Sequence, residues 1–139
     1  MNPVVHRAPP ALRFRWKGPW LIAVAALHSV YAAIVFMPQW RDMAAQGVIA
    51  SVGADPMLGA VAWFALFGAL LALLGWVVLW AERHAPEASL QRPLGWGLLA
   101  LTGMGIALMP DSGLWLLLPP ALALSRSADA RTAPTRERA

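Results

Sequence analysis

Four long stretches of apolar residues alternate with short polar segments along the chain. The stretches cover about residues 18–37, 57–80, 93–109 and 113–125. An α-helix rises about 1.5 Å per residue, so about 20 apolar residues cross the roughly 30 Å hydrocarbon core of a bilayer. The pattern therefore predicts an all-α domain over residues 18–125 with four transmembrane helices, flanked by polar tails over residues 1–17 and 126–139.

The first and fourth stretches each admit a second interpretation. A basic segment precedes the first stretch, as in a signal peptide, but the apolar region of a signal peptide has only about 7–15 residues. No small-residue cleavage site follows at residues 36–38, so we interpret the stretch as a retained anchor. The fourth stretch is short and contains Pro119 and Pro120. It forms either a hairpin with the third span or a re-entrant segment.

Two further patterns predict a short helix outside the spans and a contact face on the second span. Apolar residues recur at helical spacing within residues 39–51 and predict a short amphipathic helix on the outer membrane surface, between the first and second spans. In the second span, small residues at intervals of three or four let a neighbouring helix approach closely. These residues are Ala62, Ala65, Ala69 and Ala72, and Gly68 and Gly75 widen the stripe. We expect this alanine face to contact another helix of the chain or a partner.

The composition agrees with a membrane domain and excludes several classes of protein. Apolar residues make up 59% of the chain and charged residues 13%, whereas soluble domains carry about 45–50% and about 25%. Mean hydropathy is +0.57. These values exclude a soluble globular domain and a disordered chain, and the absence of cysteine excludes a disulfide or Cys-zinc scaffold.

The distribution of charge predicts the orientation of the spans. Four spans place ten of the 11 basic residues on the side of the two termini and leave Arg41 alone on the other side. Basic residues concentrate on the cytoplasmic side of membrane proteins, so we predict cytoplasmic termini. The tryptophans fall mainly at two levels, as in aromatic belts. Because the basic clusters flank apolar spans, we interpret them as anchors and not as a nucleic-acid-binding surface.

Polar residues inside the spans are the candidates for ligand recognition. No carboxylate, lysine or arginine lies within a predicted span, which argues against an ion-coupled transporter. We hypothesise that His28 bonds a carbonyl freed by the two prolines of the fourth stretch, or that it lines a polar pocket. The candidate site residues are His28, Tyr31, Trp63, Thr102, Pro119 and Pro120. In the alternative interpretation, His28 only joins helices by a hydrogen bond.

Charged residues of the outward-facing loops form a second group, the outer rim. They are Arg41, Asp42, Asp55 and Asp111. An ion pair from Arg41 to Asp55 or Asp111 would hold the surface helix over the mouth of the bundle. The favoured interpretation is a set of solvated charges, because an exposed pair contributes only about 0–1 kcal/mol.

No arrangement of residues predicts catalysis, a cofactor or a metal ion. His6, His28 and His84 lie at different depths and cannot converge on one metal. The chain has no phosphate-binding glycine loop and no zinc motif, and no residue is placed by sequence to activate a serine. An enzyme would be a special case of the ligand-binding hypothesis, with His28 as general acid or base and Tyr31 as a second donor.

The motifs ALHS at residues 26–29, LGWGLLA at 94–100 and MPDSGLWLLLPP at 109–120 resemble a known family. Its members are small bacterial four-helix inner-membrane proteins of unassigned function. The resemblance covers residues 18–125 and implies a four-helix domain in the inner membrane of a bacterium. It implies no activity.

The sequence as a whole predicts an antiparallel four-helix bundle with both termini cytoplasmic and two classes of function. In the first, a lipophilic molecule enters between the helices and is oriented by His28 and Tyr31. In the second, the chain is a structural or accessory subunit without a ligand. Its second span would then pack against a copy of the chain or a partner protein through alanine and glycine.

Overall fold

Every element in the described part of the chain is helical. The computed structural model describes residues 15–47, 49–84 and 88–127. The elements are α1 (Lys17–Val35), α2 (Met37–Gln46), α3 (Pro56–His84), α4 (Ala88–Leu108), a 3₁₀ segment (Gly113–Leu117) and α5 (Leu118–Ser125). The all-α prediction is confirmed. Most of the two predicted tails lies outside the described residues.

The boundary between α1 and α2 follows from proline chemistry. Pro38 has no N–H to donate to the carbonyl of Ile34, and its ring crowds the preceding turn, so α1 ends at Val35. Pro38 is tolerated in the first turn of α2, where the N–H groups have no partner within the helix. Helix α2 ends at Gln46, before Gly47 with a φ of 87°. A short helix thus lies between the first two spans, as predicted, although it begins and ends earlier.

An aspartate cap fixes the start of α3. Pro56 is the first residue of this helix, and the Asp55 carboxylate accepts hydrogen bonds from the N–H groups of Met57 at 2.8 Å and Leu58 at 3.3 Å. These N–H groups have no acceptor within the helix, so the carboxylate satisfies them and favours the helix start.

Helices α1 and α3 pack antiparallel in close contact. Gly18 near the start of α1 lies against Leu79, and Gly75 of α3 lies against Ile22. A methyl group on either glycine would approach the facing helix to less than 3.0 Å, so glycine is what permits this distance. The contact line of α3 therefore follows its glycines. Of the predicted alanine face, Ala69 is exposed and the other three residues are only half-buried.

Helix α4 packs antiparallel against the 3₁₀ segment and α5 through two other glycines. The backbone of Gly95 meets that of Ser125, and Gly105 meets the side chain of Leu114. The two tight pairs, α1 with α3 and α4 with α5, share one core, which receives side chains from all of these helices. The core residues are Leu21, Ala25, Leu71, Val78, Leu98, Leu117, Ala121 and Leu124.

Two helices, α1 and α3, are long and apolar enough to cross a membrane. Helix α4 has 21 residues but is more polar at its start, and the apolar segment Gly113–Ser125 is shorter than 18 residues. The 3₁₀ segment and α5 together are about 22 Å long. The polar segment over residues 81–92, between the second and third predicted spans, is largely helical, because α3 continues to His84 and α4 begins at Ala88. Polar side chains such as the exposed Arg83 are as compatible with the end of a helix as with a loop.

Candidate ligand site

His28 is held between α1 and α3 by stacking and by a hydrogen bond. Its ring stacks on Phe64, with centroids 4.0 Å apart and planes at 18°, and meets Phe67 edge-on at 5.4 Å. His28 Nε2 lies 2.9 Å from the carbonyl oxygen of Phe64. A carbonyl only accepts, so Nε2 carries the hydrogen of this bond. A methyl group on Gly68 would lie 2.9 Å from His28 Cδ2, so this glycine makes room for the ring.

Further aromatic rings extend this contact. The ring of Phe64 lies 6.2 Å from that of Tyr31 and 5.3 Å from that of Phe36. We call His28, Tyr31, Phe36, Phe64 and Phe67 the aromatic cluster. Tyr31 is exposed, whereas His28, Phe36 and Phe64 are half-buried. The cluster therefore joins α1 to α3 and presents a phenol at its edge.

An apolar groove of about 330 Å³ lies between α1, α2 and α3. It is lined by Ser29, Ala32, Ala33, Met37, Trp40 and Ala65. The Ser29 hydroxyl donates to the carbonyl of Ala25 in its own helix at 2.9 Å. This bond uses the hydroxyl hydrogen and leaves the oxygen able to accept a bond from a ligand. Because Ser29 follows His28 directly, the groove adjoins the aromatic cluster.

Trp40 forms the wall that α2 contributes to the groove. Its indole N–H donates to the carbonyl of Ala32 at 3.2 Å, which ties α2 back onto α1. The small side chains of Ala32, Ala33 and Ala65 leave the space that the indole does not fill. The groove is thus a consequence of alanine on two helices opposite a tryptophan on a third.

Two predicted site residues lie elsewhere. Trp63 is adjacent to Phe64 in sequence, but its side chain is 72% exposed. Thr102 is 1% exposed on α4, and its hydroxyl oxygen has no hydrogen-bond partner. The groove is lined by none of the six predicted site residues, His28 and Tyr31 included. Of the six candidates, the structure brings His28 and Tyr31 together and leaves Trp63 and Thr102 apart from them.

The prolines of α5 free two carbonyls, but neither is bonded by His28. The Trp115 carbonyl accepts from the N–H of Leu118, because the 3₁₀ geometry places a donor three residues on. The Leu116 carbonyl accepts from the indole N–H of Trp20 at 2.8 Å. The hypothesis that His28 bonds one of these carbonyls is therefore wrong. Pro119 and Pro120 occupy the first turn of α5, where their missing N–H groups are tolerated.

The outer-rim residues are dispersed over three elements. Arg41 and Asp42 are exposed on α2, Asp55 caps α3, and Asp111 is exposed in the turn before the 3₁₀ segment. Within residues 15–47, 49–84 and 88–127, no ion pair joins Arg41 to Asp55 or Asp111. The structure thus gives Asp55 a local role at a helix start.

The opposite end of the bundle carries a polar network that the sequence did not indicate. The Lys17 ammonium donates to Gln91 Oε1 at 2.9 Å and to Ser127 Oγ at 3.0 Å. The Ser127 hydroxyl lies 3.1 Å from the same Gln91 oxygen, and the Glu82 carboxylate accepts from the N–H of Gly18 at 3.2 Å. These partners are up to 110 residues apart, so no local pattern reveals them. We call this end, with its charged residues Arg15, Lys17, Glu82, Arg83, Arg92 and Arg126, the basic end.

A protein-family model matches residues 12–131 of the 139-residue chain. The chain belongs to the family of unknown function DUF6463. The resemblance to an uncharacterised family is thereby confirmed. No curated protein and no solved structure matches the chain.

The DUF6463 match includes all the helices described above. The aromatic cluster, the groove and the basic end therefore all belong to the family domain. The groove offers apolar walls with one hydroxyl, and the basic end offers cations with one carboxylate. These two sites differ in chemistry and lie at opposite ends of α1.

Proposed function

We propose that this protein is a four-span membrane protein that holds a lipophilic molecule in the groove beside His28. The groove of about 330 Å³ is the observation that carries the proposal. Small-molecule sites are concave and mostly apolar with few polar groups, and their volumes begin at about 300 Å³. The groove meets this description at the small end of the range, which favours a single hydrocarbon chain as its occupant.

The exposure of apolar side chains supports the membrane location. Only 22% of the most apolar window of α1, and 22% of that of α3, is buried within the protein. The core helix of a soluble protein would bury most of such a surface. Large side chains such as Leu70, Trp76 and Leu101 are more than half exposed on different helices. A bilayer would cover these faces without a further protein.

The separation of charge supports the proposed orientation. Among the described residues, the basic end has five cations and one carboxylate, whereas the opposite end has Arg41 and three carboxylates. Because positive charge collects on the cytoplasmic side, we place the basic end and both termini in the cytoplasm. With the resemblance in residues 18–125, this gives a multi-pass protein of the inner membrane of a bacterium.

In this proposal, His28 positions the site and Ser29 meets the ligand. The bond of His28 to the Phe64 carbonyl and its stacking on that ring fix α1 against α3. The hydrocarbon of the ligand would contact Ala33, Met37 and Trp40, and a polar group at its end could donate a hydrogen bond to Ser29. Tyr31 is exposed at the edge of the aromatic cluster but does not line the groove, so it is not a ligand contact in this proposal.

Filling the groove tests the proposal. Ala33 lines the groove, whereas Ala26 lies two turns earlier on the same face of α1, and both are exposed. We expect the full chain in detergent to be labelled on α1 and α2 by a long-chain fatty acid that carries a diazirine. The Ala33→Phe variant should lose about tenfold in labelling, equivalent to about 1.4 kcal/mol, while the Ala26→Phe control keeps it. Equal labelling of the two variants, or labelling confined to α4 and α5, would contradict the groove as the site.

The second candidate is an accessory subunit that packs through small residues. Ala69 of α3 is exposed, and a methyl group on Gly97 or Gly103 of α4 would meet nothing within 4 Å. Such open positions let a helix from another chain approach closely. Native mass spectrometry distinguishes the two functions. A ligand-free oligomer that Ala69→Leu dissociates would support the subunit, whereas a monomer with a bound lipophilic molecule would support the groove.

A further inference from the structure

Three helix ends meet at one point of the basic end. Lys17 at the start of α1 bonds Gln91 in the first turns of α4 and Ser127 just after α5. Gln91 is buried, and the one hydrogen of the Ser127 hydroxyl is shared between Gln91 Oε1 at 3.1 Å and the carbonyl of Ala123 at 3.2 Å. This closed set of bonds fixes the relative positions of the three helix ends.

An arginine lies next to each member of this set. Arg15 is two residues before Lys17, Arg92 follows Gln91, and Arg126 precedes Ser127. All three arginines are exposed. None of the three guanidinium groups forms an ion pair or a hydrogen bond with another residue in the described ranges. The three arginines therefore lie in the chain beside residues whose positions these bonds fix, and within the described ranges their guanidinium groups have no carboxylate partner.

The nearby carboxylate does not neutralise these arginines. Glu82 is the one described acid of the basic end, and it accepts the N–H of Gly18 at 3.2 Å. It thus serves the start of α1, where a negative charge is favourable. Among the described residues, this end therefore keeps an excess of positive charge.

Aromatic residues place the basic end at the level of lipid headgroups. Trp16 and Trp20 form an edge-to-face pair at 6.1 Å in the first turn of α1. Tryptophan is enriched where the hydrocarbon of a bilayer meets its headgroups. A guanidinium group presents parallel N–H donors that match the oxygens of a phosphate. Basic pockets between transmembrane helices on the cytoplasmic side bind anionic headgroups.

We propose that Arg15, Arg92 and Arg126 bind the phosphate of an anionic phospholipid at the basic end. This inference rests on the proposed membrane location but not on a ligand in the groove. The lipid tails would lie along the exposed apolar faces of α1 and α4. The bonds among Lys17, Gln91 and Ser127 would keep the three helix ends that carry the arginines in fixed positions. The protein would thus prefer a lipid with net negative charge over a zwitterionic one.

The test compares lipid retention by the full chain in native mass spectra. We expect the wild-type protein to retain phosphatidylglycerol in preference to phosphatidylcholine. Each Arg→Gln substitution at positions 15, 92 and 126 should reduce the preference by about fivefold. Arg41→Gln, at the opposite end, should leave it unchanged, and the triple Arg→Lys variant should keep most of it because the charge is retained. Circular dichroism would verify that each variant remains helical.

Four results would overturn the inference, and each has a distinct meaning. An unchanged preference in the helical triple Arg→Gln variant would show that these arginines do not bind the lipid. Full displacement of phosphatidylglycerol by an equal concentration of inorganic phosphate would indicate a site for a free anion. A chain that fails to float with phosphatidylcholine vesicles would refute the membrane location itself, whereas a chain that floats without lipid preference would refute only the headgroup site.

Discussion

The two ends of the helix bundle are held by different kinds of contact. At the basic end, hydrogen bonds join residues far apart in the chain, Lys17 to Gln91 and Ser127 and Gly18 to Glu82. At the opposite end, His28 bonds Phe64 and so joins α1 to α3, whereas the bonds nearer the loops are local. They join Asp55 to Met57 and Leu58, Trp40 to Ala32, and Trp115 to Pro110.

This difference indicates which end of the bundle is rigid and which end can change its conformation. Long-range bonds fix distant helices relative to one another, whereas local bonds fix the shape of one element or, as Trp40 does for α2 and α1, join only neighbouring elements. The groove lies at the locally bonded end, and one of its walls is the short helix α2. We therefore expect α2 to adjust to an occupant while the basic end keeps its geometry.

The largest effect should come from filling the backbone contact between α4 and α5. A methyl group on Gly95 would overlap the backbone at Leu124 and Ser125, which cannot move as a side chain does. We expect Gly95→Ala to lower the free energy of unfolding in detergent by about 3 kcal/mol. Gly97→Ala is the control, because nothing lies near that position and alanine favours a helix by about 1 kcal/mol. Similar losses in the two variants would contradict the close packing of α4 on α5.

A pair of glutamine variants compares the two ends directly. Gln91→Leu removes the acceptor of Lys17 and Ser127, and should cost about 2 kcal/mol of unfolding free energy. Gln39 on α2 has a buried side-chain oxygen without a partner, so Gln39→Leu should cost nothing or stabilise slightly. Thermal unfolding of both variants checks this order. The reverse order would refute the view that the basic end is the rigid one.

The contribution of His28 should be smaller. His28→Leu removes the bond to the Phe64 carbonyl, and interhelical bonds in membranes contribute about 1 kcal/mol. His84 bonds the Trp80 carbonyl within its own helix at 3.1 Å on an exposed face, so His84→Leu should change stability by less than about 0.5 kcal/mol. If His28→Leu is as stable as the wild type yet loses fatty-acid labelling, His28 recognises the ligand and does not merely join helices.

The smallest effect is expected at the local cap of α3. Asp55→Ala removes the acceptor of two N–H groups and should cost about 0.5 kcal/mol, the low end for an exposed cap. Asp42→Ala, exposed on α2, should have no measurable effect. A loss well above 1 kcal/mol for Asp55→Ala would mean that Asp55 makes a long-range contact, which the comparison of the two ends excludes.

Helix positions could be predicted from sequence better than helix faces. The apolar stretches located α1 and α3, and the spacing of Trp40 and Met43 located α2. Helices that are apolar on all sides carry no periodic signal for their rotation. For this reason the predicted stripe included Gly68 and Gly75, which make the contact, together with alanines such as Ala69, which is exposed. Trp63 was expected in the ligand site for the same reason, but its side chain is exposed.

The polar contacts could be predicted only where they are local. Proline chemistry indicated that carbonyls in the fourth stretch would lose their donors, but the replacement donor Trp20 lies 96 residues away from Leu116. The network of Lys17, Gln91 and Ser127 depends in the same way on how three helices meet. Such partners follow from the packing of helices and cannot be obtained from spacing along the chain.

Hydrogen exchange of the full chain in phosphatidylglycerol nanodiscs tests the central claim most directly. It compares the amides of α2 (Met37–Gln46) with those at the starts of α1 and α4, with and without added oleate. The account predicts slower exchange in α2 when oleate is present, no change at the two helix starts, and no response of α2 in Ala33→Phe. Unchanged exchange in α2, or a response confined to the basic end, would contradict a groove at the adaptable end of the bundle.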